Sequence, residues 1–382
     1  MKIILPDEHG LPNDYTLIGA PIEADPLEPN PARVVFSAAH VVADPFTGND
    51  PSGRATLDWE ATMAFRRHLA GLGIGIAEAM DTAQRGMGLD WQGALELITR
   101  TRAELPDALV FNGAGTDQLD PVEATSLDDV VRAYLEQVEA IQNVGGRIIL
   151  MASRALAHVA RSPDDYRTVY RKVLAVCDQP VILHWLGEMF DPALRGYWGS
   201  STFEGALETA LAVIDENVSK VDGIKISLLD KEKEIVMRRR LPEGVKMYTG
   251  DDFNYPELIA GDDRGYSHAL LGIFDPLAVA VGKAIGQLGR GDVDGFRATL
   301  DPTVSLARLI FRAPTQYYKT GVVFLAWLNG FQDHFVMLGG AQSMRPLPYF
   351  VESFKLADQS GLLRDPDLAA KRMRTLLAMH GV

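Results

Sequence analysis

Cysteine is almost missing from this chain: Cys177 stands alone among 382 residues. One thiol cannot close an internal disulfide and cannot build a cysteine metal cluster, so the chain reads as a protein of a reducing, cytoplasmic compartment. Long apolar runs are missing as well. No segment approaches the roughly 20 residues that span a bilayer, and Met1-Lys2-Ile3-Ile4-Leu5-Pro6-Asp7-Glu8 meets proline and acid too early for a secretory signal. Basic residues are outnumbered, 37 against 51 acidic ones, and the net charge of −14 argues against nucleic acid or an anionic membrane as a partner. No Gly-x-Gly-x-x-Gly follows the first strand and no Walker loop occurs. Gly71-Leu72-Gly73-Ile74-Gly75 precedes a strand and reads as a helix stop. What remains is 47% hydrophobic and 23% charged, the composition of a globular chain with a large core.

Residues 1–31, rich in Pro, Asp, Glu and Asn, read as a leader lying on the fold, with a short hairpin around Tyr15-Thr16-Leu17-Ile18-Gly19. Short apolar runs then alternate with helical patterns. Strands are expected at 33–40, 75–80, 108–112, 147–151, 180–185, 221–227, 244–249 and 265–270. Helices are expected from Asp58 to a Gly71/Gly73 stop, at 90–104, 126–142, 163–176, 202–217 and 230–240, from Tyr255, and at 276–288. Eight strand-then-helix units close best as a (β/α)8 TIM barrel over 32–291. From 292 to 382 only amphipathic helices follow, a C-terminal helical extension sized to cap a barrel or to make a homo-oligomer interface, dimer or tetramer. Tyr317, Tyr318, Trp327, Phe331 and Phe335 in that region read as core.

The sixth strand, Val221-Asp222-Gly223-Ile224-Lys225-Ile226-Ser227, carries a lysine where a buried strand normally carries none. By alternation Val221, Gly223, Lys225 and Ser227 share one face. If that face looks into the mouth of a barrel, desolvation frees the amine to attack a carbonyl and form a Schiff base. The plainer reading pairs Lys225 with Asp222 or Asp230, or lets it simply reach into solvent. His40, Glu78, Asn112, Asp251 and His268 also stand at expected strand ends, where they fit a site at the carboxyl face, although Asp251-Asp252 could instead cap the next helix. Arg85 or Arg195 could bind a carboxylate or phosphate.

The landmarks together resemble the dihydrodipicolinate synthase and N-acetylneuraminate lyase family of class I aldolases. Gly223-Ile224-Lys225 is similar to its lysine motif, Tyr248-Thr249-Gly250-Asp251-Asp252 to the run ending its seventh strand, and Gly265-Tyr266-Ser267-His268 to its eighth. Asn112-Gly113-Ala114-Gly115-Thr116 resembles the turn after its third strand. Where the family has Gly-Thr-Thr-Gly-Glu, the corresponding place reads Ala79-Met80-Asp81-Thr82-Ala83-Gln84-Arg85, which keeps only Thr82 of the pair. The family's strand-five tyrosine, a proton relay, gives way to Leu183-His184-Trp185.

The resemblance implies a carbon–carbon lyase, aldolase or dehydratase acting on a keto acid or sugar-derived small molecule, with no cofactor and no metal. Lys225 would form the imine, His184 would move protons, and Thr82, Asn112 and Asp251 would orient substrate. Imidazole chemistry at His184 would put a turnover midpoint between about 6 and 8. Two other classes stay open: a metal-dependent barrel lyase or isomerase with Glu78, His184, His268 and His40 as ligands, and a barrel that binds a sugar acid without turning it over.

Overall fold

The computed structural model describes residues 1–28, 31–50 and 53–382. Pro29 and Asn30 of the expected leader, and Pro51 and Ser52 of the loop before the first helix, lie outside the described residues.

The chain opens with an antiparallel hairpin, β1 (Lys2–Pro6) and β2 (Pro12–Thr16), earlier than expected. Its position follows from local chemistry. Ile3 and Leu5 alternate into the core, and the Asp7 carboxylate accepts from the amides of His9 and Leu11, folding the turn that the strands require. Asp358, in the helix Leu347–Gln359, accepts from the Tyr15 hydroxyl and the Ile18 amide and ties the end of the hairpin to the C-terminal helices.

Eight parallel strands then close a barrel: β3 (Val35–Ala38), β4 (Gly75–Glu78), β5 (Val110–Ala114), β6 (Arg147–Leu150), β7 (Val181–Leu186), β8 (Val221–Ser227), β9 (Lys246–Thr249) and β10 (His268–Leu271), with β10 against β3. Helices follow the strands, and side chains accept hydrogen bonds from the first-turn amides where the sequence offered caps: Asp58 before Trp59–Gly71, Asp90 before Trp91–Glu104 and Ser126 before Leu127–Asn143. A short helix, Arg154–Val159, is added after β6; six residues are too few to show as a period in the sequence.

Inside the barrel Phe36, Ala77, Phe111, Ile149, Ile182 and Leu270 interlock, with Phe36 and Phe111 edge to face at 5.3 Å. The helices Val293–Leu300, Val304–Ile310, Tyr318–Leu328, Leu347–Gln359 and Pro366–Met379 share one hydrophobic core with Val35 of β3, Ile76 of β4 and Leu271 of β10. Among the described residues no helix is long and apolar enough to cross a membrane.

Strand β8 departs from simple alternation at its start. The register with β7 shifts between Val181 and Ile182, which puts Val221 in the outer core beside Ile224 and Ile226 rather than on the face of Lys225. Asp222 instead accepts from the hydroxyl of Tyr248 at 2.7 Å and from Lys246 at 2.9 Å. From Gly223 onward the expected alternation holds.

Candidate active site at the carboxyl end of the barrel

Lys225 sits between His184 of β7 and Tyr248 of β9, its partners in register on the neighbouring strands. It is 8% exposed. Asp222 is engaged by Lys246, and Asp230 by Lys233 and the amides of the helix it caps, so the two acids that could have neutralised Lys225 do not. Among the described residues no carboxylate lies within 4.0 Å of the amine. Room for the side chain comes from Gly250, just past β9: a Cβ there would stand 2.8 Å from Lys225 Cε and 2.3 Å from Ser227 Oγ.

Burial pushes the amine below its ordinary value, against the pull of Asp252 and Asp81, whose negative charges favour the ammonium. Asp252 shows the complementary response. Burial pushes its carboxyl up to about 7 even though the positive charge of Lys225 opposes this, and its Oδ1 accepts from the Ile273 amide at 2.9 Å. Both shifts run toward the uncharged pair, an amine beside a carboxylic acid.

His184 is buried with Nε2 3.2 Å from Ser227 Oγ and Nδ1 without a partner among the described residues. Burial, reinforced by the charge of Lys225, holds its pKa well below the usual histidine value. The shift favours the neutral imidazole, whereas burial raises the carboxyl of Asp252, beside Lys225, into the neutral range.

Thr82 joins Lys225 and His184 at the site. It lies on the short turn Asp81–Ala83 after β4, reached through Ala79, a non-glycine residue at φ 53°. Its Oγ1 is 2.8 Å from the hydroxyl of Tyr318, which belongs to the C-terminal helical region. The ring of Tyr318 stacks on Phe311 at 4.4 Å, and both residues line the chamber around Lys225.

The other expected site residues go elsewhere. Asp251, one residue out of phase with Lys225, turns away and accepts from the Phe253 and Asn254 amides and the Asn254 side chain. Glu78 points out between helices, held by Arg66 at 2.8 and 2.9 Å and by the Thr101 hydroxyl. Asn112 follows the inward Phe111 and so faces outward, donating to the Arg147 carbonyl. His40 is buried against Asp275 at 2.8 Å and packs on Phe65. His268 is the first residue of β10, at the opposite, amino end of the barrel, where Nδ1 accepts from the Val34 amide.

The four side chains proposed as a metal ligand set thus do not converge. Arg85, too, is committed, forked onto Asp117 with two bonds of 2.7 Å, and Arg195 pairs with Glu188 at the surface.

The immediate chamber around Lys225 is small, about 20 Å³, walled by Asp81, Thr82, Ser227, Asp252, Phe190 and Tyr318. Asp81 and Leu186 are shared with a cleft of about 820 Å³ that reaches His184 and Arg85 and provides the approach. Alternation along 248–252 places Tyr248, Gly250 and Asp252 on one face and so contained the signal for Asp252. Nothing in the local sequence signals Tyr318.

The fold is that of the dihydrodipicolinate synthases, as the sequence resemblance implied. The dihydrodipicolinate synthase structure from Acinetobacter baumannii complexed with pyruvate matches with a TM-score of 0.64 at 14% identity, covering 86% of this chain and 99% of that one. The structure from Cyanidioschyzon merolae with lysine bound matches at 0.64 and 15%, covering 86% and 98%. That from Thermotoga maritima matches at 0.61 and 15%, covering 87% and 99%. No curated protein has a significantly similar sequence. Residues 3–382 match one family throughout, and the chain belongs to it: the family described as Protein of unknown function (DUF993).

Proposed function

We propose that this protein is a class I, Schiff-base-forming lyase that makes or breaks a carbon–carbon bond, or eliminates water, in a keto acid or sugar-derived substrate. The observation that carries this reading is the Lys225 amine: turned into the barrel near its carboxyl end, buried, and without a carboxylate within 4.0 Å among the described residues. A desolvated, uncharged amine is a nucleophile, and the substrate it suits is a carbonyl carbon.

The chemistry follows from the neighbours. The amine adds to the carbonyl carbon, giving a carbinolamine. Its hydroxyl leaves as water once protonated, and Asp252, which keeps its proton up to about 7, is placed to supply one. In the cleavage direction the hydroxyl one carbon beyond gives up its proton and becomes a carbonyl as the carbon–carbon bond breaks, the electron pair passing toward the iminium nitrogen; the enamine then takes a proton at carbon, and water hydrolyses the imine to free Lys225. His184, neutral and hydrogen-bonded to Ser227, and the Thr82–Tyr318 hydroxyl pair stand where that proton would be handled.

The test is reduction with borohydride in the presence of a panel of 2-oxo acids and sugar-derived aldehydes and ketones, followed by peptide mass mapping. The expected adduct adds to Lys225 the mass of the substrate less one oxygen, since condensation removes water and reduction returns two hydrogens. An adduct confined to another lysine would defeat the assignment, and binding without any adduct would favour a non-catalytic sugar-acid-binding barrel. The presence of pyruvate in a structure of the same fold makes 2-oxo acids the first compounds to try.

A second test uses pH. Attack needs the amine deprotonated and dehydration needs the acid protonated, so turnover should rise and then fall with pH, both limbs belonging to the Lys225–Asp252 pair. The charge of Asp252 raises the pKa of Lys225, so Asp252→Asn should remove one limb, leaving a single midpoint that belongs to the amine and lies lower than the amine's in the parent. His184→Phe should slow turnover but leave both midpoints in place. Midpoints that move in His184→Phe and stay in Asp252→Asn would reverse the assignment.

A further inference from the structure

A second buried lysine stands beside the first. Lys319, 4% exposed, lines a cavity of about 220 Å³ that shares Asp81, Leu186, Phe190 and Tyr318 with the walls of the Lys225 chamber. Among the described residues its amine reaches only neutral groups, the Gln316 carbonyl at 3.2 Å, Met87 Sδ at 3.4 Å and the Tyr318 ring with its centroid at 4.8 Å. The other cations of this cavity are already matched: Arg85 by Asp117, and Arg154 by Asp191 at 2.5 Å.

Lys319 also occupies an unfavourable place in its own helix. It is the second residue of Tyr318–Leu328, a helix with no side-chain cap, so its charge meets the positive end of the helix dipole. Burial pushes its pKa down, opposed by the more distant charges of Asp81 and Asp191 and assisted by that of Arg154. A cation buried without a counter-ion among the described residues, at an uncapped helix start and on the wall of a cavity, suits an anion.

We propose that this cavity is an anion subsite, and that the compound whose carbonyl meets Lys225 carries a second, negatively charged group, a carboxylate or a phosphate, that pairs with Lys319. The substrate class narrows accordingly, to oxo compounds with a distal anion. Asp81, which lines both cavities, would sit between the reacting carbonyl and that anion, and would disfavour a ligand with negative charge at its middle. The narrowing to a carbonyl compound rests on imine formation at Lys225, whereas the subsite itself does not.

The experiment keeps the two apart by measuring binding of succinate and of inorganic phosphate by calorimetry, at constant ionic strength, to the full chain, Lys319→Met, Lys319→Arg and Lys225→Ala. Loss of one charge-assisted contact is expected to weaken the preferred anion at least about tenfold in Lys319→Met. Lys319→Arg should retain most of the affinity, and Lys225→Ala should bind the anion despite being unable to form an imine. Which of the two anions binds tighter identifies the distal group. Equal affinity in the full chain and Lys319→Met, or no binding of either anion to the full chain, would overturn the subsite. Borohydride trapping of 2-oxoglutarate against 2-oxobutyrate then shows the same preference at the reacting end, with Lys319→Met expected to erase the advantage of the anionic tail while still trapping 2-oxobutyrate.

Discussion

Replacing Lys225 by methionine or by arginine is expected to lower turnover by at least about 10⁴-fold, the scale on which loss of a covalent nucleophile is felt. The two substitutions fail for different reasons. Methionine fills the space left open by Gly250 but offers no nucleophile, and arginine keeps a positive charge near Asp252 but stays protonated and cannot condense with a carbonyl. If the role of Lys225 were only to supply charge, arginine would rescue activity and methionine would not. Neither should unfold the protein, because among the described residues Lys225 has no carboxylate within 4.0 Å to leave stranded. Steady-state rates on the compound identified by trapping, read beside circular dichroism of the same preparations, decide the matter. Turnover in Lys225→Met within a few-fold of the parent would end the imine mechanism.

The largest expected effect on stability belongs to Glu78, a residue with the pattern of a site group and the surroundings of a structural one. Both members of the Arg66–Glu78 pair are fully buried, and the carboxylate also accepts from the Thr101 hydroxyl and the Ala79 amide. Glu78→Ala strands the guanidinium in the core and should destabilise the fold by about 3–5 kcal/mol. Removing both charges in Arg66→Met with Glu78→Leu should restore much of that loss, because an apolar pair of similar volume has no desolvation penalty to overcome. Urea unfolding of the parent, the single and the double variants supplies the cycle. A single variant as stable as the parent would show that the pair contributes nothing, and a double variant as unstable as the single would show that the charges matter beyond their mutual neutralisation.

Much of the architecture was present in the linear pattern because strand and helix periods are local properties. The caps Asp58, Asp90 and Ser126 began their helices where a short polar side chain preceded an apolar period, and eight buried strands separated by helices left few ways to close. The inward turn of Lys225 was also legible, since alternation from Gly223 to Ser227 is a property of the strand itself. Alternation becomes unreliable where the chain leaves the ladder. A shift in register turned Val221 outward, and the same two-residue period, applied from Tyr248, selects Asp252 and rejects Asp251.

Only the tertiary structure decided which polar groups meet. His268 and Asp251 both stand at strand ends in the sequence, yet one lies at the amino end of the barrel and the other faces away from its mouth. Glu78 and His40 were claimed by Arg66 and Asp275, partners on helices whose packing no local pattern fixes. Tyr318 and Lys319 reach the site from a helix some ninety positions beyond Lys225 because the C-terminal helices share a hydrophobic core with the barrel, and burial of that common surface, rather than any local motif, carries them to its mouth.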